Sequence, residues 1–263
     1  MNLLKKPSLV LFWFLVFCCF FLQHCKVDQG KSDPLSHIED KEVKRLLTKV
    51  FKSSGGWDQW NGRRSLRFKK HFILYDSLGN TENEVLQKHR YAYRPKYDID
   101  ISWTKEGALH RLNYRDQKTV KTIDGEPDIT AEPDALLNSV LSATFVMDIP
   151  FNLRDPGIAF TYLGRDILEN GEEVEVLQAI FDSEEQDNHS TSDVWTYYFE
   201  KSTYQLLGYL VQHADHFSYV KNLTSQKLNG FIFPKTRKSW RVTPDREILY
   251  LRAAYEYSDF EMD

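Results

Sequence analysis

The residues best placed to do chemistry in this sequence are few and scattered. His213-Ala214-Asp215-His216 sets two imidazoles and a carboxylate within one short segment, a ligand set that suits a transition metal. The segment reads as the end of a strand, where positions 213 and 216 point to opposite faces, so the two rings are expected to part. Asp98 and Asp100 share one face of a strand and could work as an acid and base pair. Ile99, Ile101 and Trp103 hold the other face, so both aspartates are expected in water. Glu172, Glu173 and Glu175, like the acidic run Asp182 to Asp187, sit in or beside a probable loop centred on Asn170-Gly171 and read as solvated charge. The sequence has no G-x-S-x-G elbow, no G-x-x-x-x-G-K-[ST] loop and no H-E-x-x-H helix. No catalytic residue, metal site or cofactor is assigned. A hydrolase or metal enzyme assembled from distant Asp and His residues is the least favoured class.

The cysteines carry a different kind of chemistry. Lys5 and Lys6 precede the apolar run Leu9 to Leu22, which Gln23, His24 and Lys26 close early. That run has the length of a signal-peptide core and falls short of the roughly 20 apolar residues that span a bilayer. Leu22-Gln23-His24-Cys25 resembles the site cut by lipoprotein signal peptidase, although His24 and Gln23 stand where small residues are usual. On that resemblance residues 1–24 form a lipoprotein signal peptide and Cys25 becomes the acylated first residue, stably anchored if two or more chains are attached. Cys18 and Cys19 leave with the signal, so the mature chain has no disulfide framework and no thiolate metal site. Residues 25–35 read as a polar tether, and 36–263 as one domain. Lys26 does not resemble an inner-membrane retention aspartate, so the expectation is an exported, periplasm-facing or surface lipoprotein with a mild preference for the outer membrane.

Composition supports one folded, stable domain. Of 263 residues 41% are hydrophobic and 14% aromatic, enough for a substantial core, while 27% are charged. A net charge of −4 with mixed signs offers polyanions no global field, which disfavours nucleic acid as a partner. Two local basic clusters, Arg63, Arg64, Arg67, Lys69 and Lys70, and Lys235, Arg237, Lys238 and Arg241, interleave with apolar residues as on the wet face of a strand.

The elements that must position any site are mostly strands. Ser36-His37-Ile38-Glu39 reads as a capping box opening an amphipathic helix that Gly55-Gly56 ends. Leu66, Phe68, Phe72 and Leu74 then share one strand face at period two, interrupted by Lys70. Further strands are predicted at 85–93, 97–103, 109–114, 160–163, 174–181, 194–199, 204–213, 231–233, 239–242 and 248–257. A second helix is predicted over Pro133 to Ala143, with Leu136, Leu137, Val140 and Leu141 on its apolar face. The fold class is mostly β with α, a large curved antiparallel sheet with helices packed on one face.

The run of features from Ser54-Gly55-Gly56, Trp57 and Trp60 through the strand Leu66 to Asp76, Pro150-Phe151-Asn152-Leu153, Tyr162-Leu163-Gly164 and Val194 to Thr203 resembles uncharacterised Bacteroidota lipoproteins of a domain-of-unknown-function family similar to LolA and LolB. That resemblance implies a half-barrel whose concave face is covered by helices and can hold acyl chains. The residues expected to line such a cavity are Phe68, Phe72, Trp103, Leu136, Leu137, Val140, Leu141 and Trp195. The expected role is a monomeric, membrane-anchored, non-enzymatic lipoprotein that binds a lipid or acyl chains. The alternative is a structural lipoprotein that engages another envelope protein.

Overall fold

The computed structural model describes residues 33–181 and 193–263. The signal segment, Cys25, most of the tether and the acidic run Asp182 to Asp187 lie outside the described residues. The chain divides into two units, Met1–Ser36 and His37–Asp263. The described part of the first is a turn in which Asp33 accepts from the backbone N–H groups of Leu35 and Ser36, both at 3.0 Å. Among the described residues, the second carries all the regular structure.

Helix α1 (Lys41–Ser53) starts later than the sequence suggests. Asp40, not Ser36, is its cap: the carboxylate accepts from the N–H groups of Glu42 (2.8 Å) and Val43 (3.0 Å), pairing two otherwise orphaned donors. Its apolar stripe of Val43, Leu46, Leu47, Val50 and Phe51 is buried. Gly55 ends it at φ +115°, a conformation that favours glycine, and a Cβ there would stand 2.5 Å from the Phe231 ring. A second, short helix, α2 (Trp57–Gly62), follows and buries Trp60.

Six strands come next: β1 (Ser65–Tyr75), β2 (Thr81–Ala92), β3 (Asp98–Lys105), β4 (Ala108–Arg115), β5 (Lys118–Ile123) and β6 (Glu126–Pro127). Helix α3 (Pro133–Asp148) and a 3-10 turn at Phe151–Arg154 lead into β7 (Ile158–Ile167), β8 (Glu173–Phe181), β9 (Val194–Glu200), β10 (Leu206–Gln212), β11 (Phe217–Leu228), β12 (Phe231–Val242) and β13 (Ile248–Met262). Together they make one antiparallel sheet of 13 strands in the order β6-β5-β4-β3-β2-β1-β13-β12-β11-β10-β9-β8-β7. Each strand pairs with its chain neighbour, and the pairing of β1 with β13 joins the two meanders. Helix α3 therefore links the two edge strands, β6 and β7.

That link requires the sheet to curl. Helix α3 packs on β4 and β5, while its Phe145 meets Phe181 of β8 (ring centroids 5.4 Å apart) and Trp195 of β9 (5.0 Å). Strands β5 and β8 are ten places apart in the order, roughly 48 Å in a flat sheet. A helix of 16 residues is about 24 Å long, so it touches both only if the sheet wraps around it. The result is the mostly β architecture expected from the sequence, a large curved antiparallel sheet with α3 on its concave side.

Three local expectations need correction. Strand β12 is continuous through residues read as two pieces, because Pro234 pairs with Ser225 at a register shift where a missing N–H is tolerated. Strand β11, rich in Ser, Thr, Asn, Gln and Lys, carries too little apolar alternation to be seen in the sequence. The basic clusters are not wholly a wet face: Lys70 and Arg237 face the interior, because curling buries part of the sheet's inner surface.

Candidate functional site

Along β1 the inner face changes character. Leu66 and Phe68 are buried, whereas Lys70, Phe72 and Leu74 are only half-buried, because the space above them is open. At the filled end Phe68 stacks on His89 (4.6 Å) and Phe260 (5.2 Å). An aromatic cluster centres on Trp60, stacked on Phe151 at 4.7 Å and edge-on to Phe231 at 5.3 Å.

From Lys70 onward, the concave face and α3 enclose a hollow of about 550 Å³, walled by Phe72, Trp103, Leu112, Leu136, Tyr209 and Tyr255 among others. A second hollow, also about 550 Å³, lies along the other flank of α3 against Leu74, Leu141, Phe145, Trp195 and Val211. A third of about 200 Å³ opens toward Leu206, Leu223 and Ile232. Val146 of α3 and Tyr209 of β10 line all three. The two larger volumes match small-molecule sites.

The structure places the eight candidate lining residues unequally. Phe72, Trp103 and Leu136 wall the first hollow, and Leu141 and Trp195 the second. Phe68 belongs to the filled core, Val140 is fully buried beneath α3, and Leu137 is half-buried without lining a hollow. The residues that sequence reasoning passed over are Val146, Tyr209, Tyr255, Lys70 and Arg237. Lys70 did carry a signal, since it occupies an inward position between Phe68 and Phe72.

The polar candidates fall elsewhere. Strand β10 stops at Gln212, and His213 to His216 form a turn in which the two rings lie 4.4 Å apart, not on opposite faces. His213 Nδ1 pairs with Asp193 (2.8 Å) and His216 Nδ1 with Asp215 (2.6 Å). Among the described residues, no three His, Cys, Asp or Glu side chains converge to hold a metal. Asp100 accepts from Asn113 (2.8 Å) and Asp98 from Arg115 (2.8 Å); contrary to expectation Asp98 is not in water, its side chain being 13% exposed with Oδ1 buried. Glu175 is fully buried, contrary to its reading as solvated charge: it receives the Tyr162 hydroxyl and Arg165 Nε (3.2 Å), with Arg45 at 3.9 Å.

Two buried groups set an expected pH dependence. Asp148 ends α3 beside Arg63 Nη2 (3.4 Å) and the Tyr93 hydroxyl (3.1 Å), and burial pushes its carboxyl up to about 6 despite both partners. Its folded form therefore holds a proton more tightly than the unfolded chain, where the value is about 4. The stability it contributes is complete below about pH 4 and is lost as pH rises through about 6. His89 works in the opposite sense: burial, then the charge of Lys70, hold it well below the usual histidine range, so it costs stability as pH falls below that range. Melting Asp148→Asn beside the parent protein across pH 4 to 7 isolates the first effect, because His89 acts alike in both; the parent is expected to lose stability relative to the variant as pH rises through that window.

Two solved structures share the architecture. A DUF1329 family protein from Desulfovibrio piger matches with a TM-score of 0.52 at 11% identity, over 84% of this chain and 93% of its own. A LolA superfamily protein from Nitrosomonas europaea matches with a TM-score of 0.50 at 9% identity, over 83% of this chain and 92% of its own. No family model and no curated protein matches the chain. The likeness is one of fold.

Proposed function

We propose that this LolA-like half-barrel is an exported carrier, tethered through acylated Cys25, that holds an apolar ligand such as a lipid or acyl chains between its concave face and α3. The observation that carries the reading is the pair of hollows, each about 550 Å³, that flank one helix, the first walled mainly by aromatic and aliphatic side chains and the second by such side chains with polar ones interspersed. A filled core would leave no such space, because interiors pack at crystal-like density with few voids larger than a water. Helix α3 suits a cover: it presents Ser139, Ser142 and Ala143 to the first hollow, side chains too small to fill it.

The two tryptophans in the walls provide the test. Bromine-labelled fatty acyl chains quench indole emission on contact, so titration into delipidated protein is expected to quench Trp103 and Trp195 and then saturate. Replacing both by Phe removes most of that response. Quenching that never saturates, or that survives the double replacement, contradicts binding in the hollows.

A second reading, a protein-binding role, draws on the convex face. There Tyr219 stacks on Trp240 at 6.1 Å and meets Tyr198 at 6.1 Å, beside Ile167 and Ile248, which are 62% and 58% exposed. Exposed aliphatic side chains beside half-buried aromatic rings mark contact sites in other proteins.

A further inference from the structure

Two cations face the first hollow without a carboxylate partner. Arg237 on β12 is 5% exposed, its Nε has no hydrogen-bond partner, and no acid lies within ion-pair distance among the described residues. Lys70 on β1 lines the same hollow, with its Nζ over the rings of Phe72 (5.0 Å) and Tyr255 (5.4 Å). The Arg237 guanidinium lies 5.2 Å from that same Tyr255 ring and 5.4 Å from Tyr257, so one tyrosine is shared by two like charges.

The other charges nearby are answered. Lys121, which also lines the hollow, pairs with Asp128 at 2.7 Å. In the second hollow His213 pairs with Asp193, Arg252 with Glu82, and Arg241 donates to Ser218. Among the described residues no Asp or Glu lines the first hollow, and the remaining titratable groups around the two cations are the hydroxyls of Tyr209, Tyr255 and Tyr257 and the neutral His89. Burial, then Arg237, lower the Lys70 ammonium to about 8, as expected where positive charge is desolvated beside positive charge. Buried charges are ordinarily paired, so an arrangement of two cations over an aromatic floor is completed by an anion from outside.

We propose that the hollow takes an amphiphile with an anionic head, a carboxylate or a phosphate, seated between Lys70 and Arg237, with its apolar tail running along Phe72 and Trp103 under α3. This rests on the carrier reading above and sharpens it to a ligand class. Arg237 offers a planar donor fork to such a head, and Lys70 a point charge, the pair that recognises oxyanions elsewhere.

The test holds the tail constant and changes the head. Oleic acid, oleyl phosphate and oleyl alcohol are titrated into delipidated full chain at pH 7, each competing with a fluorescent lipid probe. One or both anions are expected to bind at least tenfold tighter than the alcohol, as charge-assisted hydrogen bonds in a desolvated site require, and the better of the two identifies the head. Lys70→Met with Arg237→Met is expected to bring all three to the affinity of the alcohol. Equal binding of acid, phosphate and alcohol to the parent protein overturns the proposal without touching the carrier reading, and so does a preference that survives in the double variant. Uptake of none of the three overturns both. The head-group comparison is made on the parent protein, so it decides the matter even if the double variant does not fold.

Discussion

Val146→Trp is expected to reduce uptake of an acyl ligand by more than tenfold while leaving the fold intact. Val146 is the side chain of α3 that borders all three hollows, so an indole there occupies the space a tail would use in each of them. Overpacking a filled site costs about 1–3 kcal/mol. In an open hollow the added ring instead gains contacts, and the melting temperature is expected to hold or rise. Ser142→Trp, which borders the two larger hollows from an exposed position, should act in the same direction with less strain. A large loss of stability with unchanged uptake would mean that Val146 packs in a closed core. The checks are a probe-binding titration and a melt on the same preparation.

Trp60→Ala has the largest expected effect on stability, about 3–5 kcal/mol. Trp60 is 3% exposed, stacks on Phe151, meets Phe231 and Phe233 at 5.3 and 6.2 Å, and carries the Arg63 guanidinium 3.7 Å above its ring. Those partners come from the residue that follows α2, the 3-10 turn and β12, so the ring joins segments far apart in the chain. Against a typical total stability of 5–15 kcal/mol, the loss is large enough to shift a denaturant midpoint without changing its slope. A shift below about 1 kcal/mol would show that the cluster relaxes around the void. Because neither Trp60 nor the rings it meets line the two larger hollows, the folded fraction of Trp60→Ala is expected to bind ligand as the parent does.

Much of the sheet was legible because its strands alternate. Ile99 and Ile101 against Asp98 and Asp100, or Leu66 and Phe68 against Arg67 and Lys69, declare one buried and one wet face from spacing alone. Where alternation fails, sequence reasoning fails with it. Strand β11 turns polar after Val220, and β12 hides behind Pro234 and its flanking lysine. The second helix was legible over its first turns, but Thr144 to Asp148 were not, because α3 is apolar on several sides and has no clear end signal before Ile149-Pro150.

The candidate site was legible in part for a related reason. Trp103, Phe72, Leu136, Leu141 and Trp195 stand out as inward positions of their own elements, which period and type reveal. Whether an inward residue meets packing or space is decided by elements far away in the chain. Phe68 and Phe72 are four residues apart on one face, yet His89 and Phe260 cover the first while the second borders a hollow. The same holds for Arg237: its place in a basic stretch suggests solvent, and only the curling of the sheet, which brings Tyr209 and Tyr255 around it, turns that cation inward.

The carrier reading is tested most directly by asking what the protein carries when it is purified without detergent. Native mass spectrometry, followed by organic extraction and a second mass measurement, is expected to show a near-stoichiometric apolar molecule that added fatty acid displaces. A clean mass of the chain alone, with no uptake when lipids are then offered, would contradict the account and leave the aromatic convex face as the better guide to function.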